Sequence, residues 1–276
     1  MGAAPHGERG EAALIGVPFD GTASFRPGAR FGPGAIREGS HSLETYSPFL
    51  DRDLANRDFI DAGDLEVAPG RPEKMIDLVS QRVKSILAQD MKPIVMGGEH
   101  TITIGVVSAL VEKFDRFSVL QIDAHTDYRD EYLGEKYSHA TVMRRIGEMI
   151  PPERIYRIGI RSGSREELID AGIDLPIGAE ARGKDVERVI NSIPEDAELY
   201  ITLDLDVFDP SLVPGVGNPE PNGLTWREFI QLMRVISYRN VLGCDVTELA
   251  PQYDTTGVSA IVAASVVREL MLCIMP

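Results

Sequence analysis

Thiols are scarce in this chain: its 276 residues include two cysteines, Cys244 and Cys273. They do not form a Cys-x-x-Cys pair, which argues against a thiolate zinc site, a dithiol redox centre or a disulfide scaffold. Buried free thiols are the expectation. Spacing alone leaves a Cys244–His–Asp nucleophile open, but no neighbouring sequence supports one. Long apolar runs are missing too. The longest, Val258–Val267, is too short to span a bilayer and ends at Arg268-Glu269. Glu8, Arg9 and Glu11 interrupt the N-terminal region, so no signal peptide is expected. His6 stands where a myristoylation signal needs Ser or Thr. Basic residues are in deficit, 28 against 43 acidic ones, for a net charge of −15. That balance disfavours nucleic acid or an anionic membrane as partner and is compatible with a small cationic ligand. A soluble, cytoplasmic protein is the simplest expectation.

No linker, repeat or low-complexity tract divides the sequence, so one domain over residues 1–276 is expected. Complete nucleotide-binding motifs are lacking as well. Gly215-Val216-Gly217 has no third glycine, and Pro219 and Pro221 exclude a following helix, so it reads as a turn-rich loop close to the functional site. The glycine-rich stretch Gly28–Gly34 lacks the Gly-Lys-Ser/Thr ending of a phosphate loop. It reads as a shaped active-site loop, a subunit contact or a plain surface loop. His6 and His41 read as bystanders.

Strand-like and helix-like runs alternate. Strands are expected at Ala12–Val17, Arg57–Ile60, Pro93–Met96, Ser118–Ile122, Ile155–Ile160, Glu198–Leu203 and Val241–Cys244. Helices are expected at Pro72–Gln89, Thr103–Lys113, Thr141–Met149, Arg165–Ala171, Trp226–Ser237 and Val258–Cys273. Ser164 with Glu167, and Thr225 with Glu228, have capping-box spacing. Such alternation predicts an α/β fold with a parallel sheet flanked by helices.

Three of the strands run straight into metal-seeking residues. They are followed by Gly97-Gly98-Glu99-His100, by Asp123-Ala124-His125-Thr126-Asp127, and by Asp204-Leu205-Asp206. On extended chain, residues i, i+2 and i+4 point the same way. Asp123, His125 and Asp127 can therefore aim at one point, and so can Asp204 and Asp206. Adjacent parallel strands gather such C-terminal ends where open α/β sheets bind ligands. Alone, an Asp after a strand is most often a turn former and a single histidine a bystander. Together, four aspartates in one cavity would repel one another unless cations compensated them. Two divalent ions would do so, and a carboxylate-rich set with few imidazoles suits Mn²⁺ better than tetrahedral zinc.

These segments resemble the ureohydrolase family of arginases and agmatinases, agmatinases most of all. The resemblance also rests on Ser138-His139-Ala140, on Asp204 through Pro210, on Asp245-Val246-Thr247-Glu248, on Pro214 through Thr225, and on Arg26 through Pro33. It covers nearly the whole chain. Glu99 stands where arginases usually carry Asp, and agmatinase-like members often carry Glu there. What the resemblance implies is a three-layer α/β/α fold around an eight-stranded parallel sheet, a homo-oligomer (trimer or hexamer) and two Mn²⁺ ions. It places His100, Asp123, Asp127 and Asp204 on one ion, and Asp123, His125, Asp204 and Asp206 on the other. It makes His139 the proton shuttle and Glu248 the carboxylate that grips a guanidinium. Asp127 would also hydrogen-bond the nucleophile and help move its proton. The implied reaction is hydrolysis of a guanidino compound to urea and an amine.

For the substrate, the stretch Tyr128–Tyr137 lacks the arginase-like Asn and Ser pattern and resembles agmatinases. Asp130, Glu131 and Glu135 give it surplus negative charge, which suits a substrate with a cationic far end. That favours agmatine, cleaved to putrescine and urea. The bland alternative is a solvated loop. Arg129 could instead pair with a carboxylate tail, which keeps guanidinobutyrate and guanidinopropionate open, and arginase activity beside them. A dinuclear hydrolase of another kind and a non-catalytic family relative are the remaining readings.

Overall fold

A computed structural model describes residues 10–173 and 181–276. His6 therefore lies outside the described residues. The core is a seven-stranded sheet built from β1 (Ala12–Val17), β4 (Phe59–Asp64), β5 (Lys92–Gly97), β6 (Ser118–Ile122), β7 (Ile155–Ile158), β8 (Glu198–Asp204) and β9 (Asn240–Thr247). Its order is β4-β1-β5-β9-β8-β6-β7, and every pairing is parallel. A separate two-stranded antiparallel ribbon pairs β2 (Tyr46–Ser47) with β3 (Arg52–Asp53). Eight strands were implied; seven stand in the main sheet among the described residues.

The strands are apolar on both faces because helices cover both, as a parallel sheet requires. In β1, Ala12 and Leu14 pack into one core while Ala13, Ile15 and Val17 pack into the other. Helices α2 (Pro72–Leu87), α3 (Ile102–Lys113) and α4 (Val142–Gly147) build the second of these layers. On the opposite face lie α1 (Gly32–Ser40), α6 (Ala181–Ser192), α7 (Trp226–Ile236) and α8 (Val258–Ile274). The short α5 (Arg165–Asp170) follows β7 and carries the capping box expected of Ser164 and Glu167. Thr225 and Glu228 likewise cap α7.

Two helices escape sequence reading. One is α1, inside a stretch that reads as loop. Pro33 is tolerated because it sits in the first turn. Gly39 is there for contact: a Cβ on it would lie 2.7 Å from the carbonyl oxygen of Ala260, so α1 can press against α8 only without one. The stretch Gly28–Gly34 is thus a 3-10 turn, Ala29–Phe31, leading into a helix rather than a loop. The other is α6, whose sparse apolar residues Val186 and Ile190 nevertheless reach the core. At the sheet edge, β4 runs past the expected Ile60 to Asp64, because an edge strand tolerates polar residues such as Asp61 and Asp64.

Candidate metal centre

Four adjacent central strands, β5, β9, β8 and β6, end at the same rim of the sheet. Glu99 and His100 follow β5, and Asp123, His125 and Asp127 follow β6. Asp204 closes β8, with Asp206 in the 3-10 turn after it, and Glu248 follows β9. Asp127 and Glu248 take left-handed backbone, with φ of 49° and 66°. Non-glycine residues rarely adopt it, and it accumulates where function demands a side chain in one direction.

All six expected ligands converge. His100 Nδ1 lies 3.3 Å from Asp123 Oδ2, 3.0 Å from Asp127 Oδ2 and 3.6 Å from Asp204 Oδ2. His125 Nδ1 lies 2.8 Å from Asp206 Oδ2 and 3.9 Å from Asp123 Oδ1. His100, Asp123 and Asp204 form one group able to hold a metal ion, and Asp123, His125 and Asp206 form another. Asp123 belongs to both.

Buried hydrogen bonds fix this arrangement. Thr202 donates to Asp245 Oδ1 at 2.7 Å, so its oxygen is left to accept from His100 Nε2 at 2.8 Å. His100 thereby turns Nδ1 toward the carboxylates. Tyr200 and Thr103 also donate to Asp245. Gln121 donates to Asp123 Oδ2 and to the carbonyl of His125, and the amide of Asp206 donates to Asp204 Oδ1 at 2.8 Å. Glu99 is removed from the cluster: it accepts from the amide and hydroxyl of Thr22 and from Thr101.

The electrostatics state what the cluster needs. Burial, then the charges of Asp206 and Asp123, push Asp204 far above the ordinary carboxylate range. Burial and then Asp123 raise Asp127 to about 6. Burial and then Glu99 raise Glu248 to about 8. For His125 burial acts downward, yet Asp206 and its neighbours outweigh it and lift the imidazole to about 10. His100 is raised against burial in the same way, by Asp123 and Asp127. Burial would lift Asp123, but the hydrogen bond and charge of His100 hold it low. Carboxylates packed this closely demand positive charge. Oxygen-rich donors with two imidazoles fit a pair of hard-to-borderline divalent cations.

His125, Asp127, Asp204 and Asp206 of the cluster line the floor of a cavity of about 600 Å³. Its walls include Ser24, Arg26, Arg129, Tyr132, His139, Ser162, Glu167, Glu220 and Glu248. His139 begins a 3-10 turn after Ser138, with Thr22 3.3 Å from Nδ1, Ser24 3.4 Å from Nε2, and Tyr132 edge-on to its ring. Burial and the positive His125 and His100 pull it down to about 4, so the imidazole is neutral around pH 7 rather than poised there. Glu248 Oε1 accepts from the amide of His100 at 2.8 Å. A Cβ on Gly217 would lie 3.5 Å from Glu248 Oε2, in ordinary contact, which places this loop beside the other oxygen.

The loop acids expected to greet a cationic tail do not line this cavity. Asp130 is paired with Arg145 at 2.6 Å, and Glu135 accepts from the amide of Tyr137. Glu167, read in sequence only as a helix cap, and Glu220, read only as part of the Pro214–Thr225 run, stand in the wall instead. Arg129 is held by Glu167 at 3.3 Å and lies over the Tyr132 ring. Gly215–Gly217 is, as read, a loop beside the site, tied to it by the amide of Ala250 donating to Gly215. Cys244 and Cys273 are buried and free, their thiols raised by burial, Cys273 to about 12. His41 is exposed beyond α1, away from the cluster.

Fold and site together define a three-layer, arginase-like α/β protein with a carboxylate-rich centre suited to metals. A model described as the Arginase family matches residues 10–273, and the chain belongs to that family. It is 40% identical over 275 residues to an agmatinase of Bacillus subtilis, covering 97% of this chain and 93% of that protein. It is 38% identical over 250 residues to an N(1)-aminopropylagmatine ureohydrolase of Thermococcus kodakarensis, covering 88% and 84%. A solved structure from Clostridium difficile, described as a candidate agmatinase, superposes with a TM-score of 0.90 at 40% identity, covering 97% and 98% of the two chains. Among the described residues no helix is long and apolar enough to cross a membrane.

Proposed function

We propose that this chain is a manganese-dependent agmatinase, hydrolysing agmatine to putrescine and urea as a step of polyamine synthesis. The observation that carries the reading is the joining of two candidate metal groups through Asp123, with His125, Asp204 and Asp206 of those groups lining a cavity that Glu248 also lines. Agmatinases at about 40% identity over nearly the full length support it. In this reading His100, Asp123, Asp127 and Asp204 hold one ion, and Asp123, His125, Asp204 and Asp206 the other. When bound, the ions supply an activated water and Lewis-acid stabilisation of the developing charge.

The chain's own residues do the rest. Glu248, anchored through Oε1 to His100, turns Oε2 to the guanidinium in a charge-assisted pair. Its raised affinity for a proton is relieved as that cation arrives. Asp127 accepts the proton of the attacking water. His139, neutral at working pH, takes a proton and passes it to the departing nitrogen, as a shuttle must. The water oxygen bonds to the guanidinium carbon, and the bond from that carbon to the alkyl nitrogen breaks. Urea and a protonated amine remain, so charge and atoms balance.

The proposed setting is cytoplasmic, tested by cell fractionation, and the proposed assembly is a trimer or hexamer, carried over from the family and tested by light scattering. The activity is tested by urea release from agmatine, N(1)-aminopropylagmatine, arginine, guanidinobutyrate and guanidinopropionate, with Mn²⁺ added or chelated. Agmatine should give the highest kcat/KM, and chelation should abolish it. Full activity after metal stripping would refute the scheme, and a preference for a guanidino acid would transfer the assignment to that substrate.

A further inference from the structure

We infer that Glu220 is the specificity-determining residue that receives the cationic far end of the substrate; this rests on the agmatinase reading. The cavity wall beyond the metal cluster offers two carboxylates, Glu167 and Glu220. Glu167 is fully committed: Oε2 accepts from the amide of Ser164 and pairs with Arg129, while Oε1 accepts from Thr126. Glu220 is engaged at one oxygen, where Ser162 donates to Oε1 at 2.9 Å. That oxygen lies 3.8 Å from His125 Nε2, too long for a direct hydrogen bond. Glu220 lines the cavity and its side chain keeps 36% exposure, so it needs little desolvation to meet a cation.

The backbone beneath Glu220 is fixed. Arg161 donates to the carbonyls of Glu220 and Pro221, and also to those of Asp206, Val207 and Gly159. One guanidinium thus locks the loop that carries Glu220 to the strand end that carries Asp206. At the other end of the same loop, Gly217 lies beside Glu248 Oε2. Three residues of chain span about 10 Å at most, so the backbone of Glu220 stays within that reach of Gly217, and Glu248 and Glu220 line one cavity. Among the described residues neither cavity arginine is an ion-pair partner of Glu220: Arg129 is paired with Glu167, and Arg26 is stacked on the Tyr253 and Phe25 rings. A guanidinium at Glu248 and an ammonium at Glu220 is the occupancy these charges select.

The test compares agmatine with n-butylguanidine, which has the same carbon chain and no amine, on the manganese-loaded enzyme. The readout is the ratio of their kcat/KM values, with bound manganese per chain measured alongside. Glu220→Gln should lower the agmatine preference about tenfold, the effect of losing one charge-assisted hydrogen bond, chiefly through a higher KM for agmatine. Glu220→Lys should move preference toward guanidinobutyrate. An unchanged ratio in Glu220→Gln would overturn the inference. So would equal loss on both compounds with falling manganese content, because Glu220 would then act through His125. If the unaltered enzyme releases urea from arginine or guanidino acids but not from agmatine, it is the agmatinase reading that fails, and Glu220 loses its assigned ligand with it.

Discussion

His100 Nε2 sits 2.8 Å from the hydroxyl oxygen of Thr202, which in turn donates to the buried Asp245 at 2.7 Å. This chain of contacts decides which ring nitrogen points at Asp123, Asp127 and Asp204. Partners of this kind tune a ligand's orientation and basicity, and their loss typically costs about 10–100-fold in metal affinity. Thr202→Val and Asp245→Asn should each weaken manganese binding by that factor, measured by competition with a fluorescent chelator. Equal affinity in both variants would mean that packing alone orients His100.

Asp123 and Asp204 should be less forgiving. Asp123 sits in both candidate metal groups, and Asp204 packs against His100 and Asp206. Asp123→Asn or Asp204→Asn removes the charge that a cation would balance. Metal content by elemental analysis and urea release should disappear together. A variant that keeps two manganese ions per chain yet loses turnover would remove Asp123 or Asp204 from the ligand set.

His139 should separate from the ligands in the opposite way. Its ring contacts Thr22, Ser24 and Tyr132 rather than the carboxylates. His139→Ala should lower kcat by about 10²–10⁴-fold, the usual weight of a positioned proton-transfer group, with manganese content unchanged. Loss of metal instead would make His139 a ligand.

Much of this centre is legible in sequence for one reason. The spacings Asp123-His125-Asp127 and Asp204-Asp206 lie at strand ends, where side-chain direction follows from period-two geometry. Glu167, Glu220, Arg161 and Asp245 carry no such local mark. Glu220 reaches His125 only because β8 pairs with β6, and Asp245 reaches Thr202 only through the β8–β9 register. Strand order is a global property, and it is what the sequence pattern leaves open. The same holds for α1, whose Gly32, Pro33, Gly34 and Gly39 speak against a helix until α8 is placed beside it.

Metal uptake should release protons. His125 is raised to about 10 and Asp204 far above its ordinary value, so both hold protons that a metal must displace, while Asp127, raised to about 6, adds one only near the acid end. Ligands bind metal deprotonated, so affinity must rise with pH. Between pH 6 and 9 the apparent manganese affinity should climb by about tenfold per pH unit for each displaced proton. Calorimetry in buffers of different ionisation enthalpy counts the protons directly. A pH-independent affinity would show that the ligands are already deprotonated in the free protein.

The last relationship joins stability to the site. Asp254 accepts from the amide and hydroxyl of Ser259 at 2.7 Å and from the amide of Thr256 at 2.9 Å, which fastens the start of α8. Ser259 in turn accepts from the amide of Gly215, in the loop that passes Glu248. Burial acts upward on Asp254, but these donors outweigh it and hold its pKa well below the ordinary carboxylate value. A depressed folded-state pKa gives stability that is present above the unfolded value, about 3.9, and lost as pH falls through the folded one. Asp254→Ala should therefore cost about 1–2 kcal/mol at pH 7, the range for losing a side-chain acceptor that satisfies a first-turn amide of a helix. The gap to the unaltered protein should shrink below about pH 4, as Asp254 becomes protonated in the unfolded chain. Chemical denaturation at pH 7 and pH 3 measures both. A gap that stays constant across that interval would assign the stabilisation to packing rather than to the ionised carboxylate.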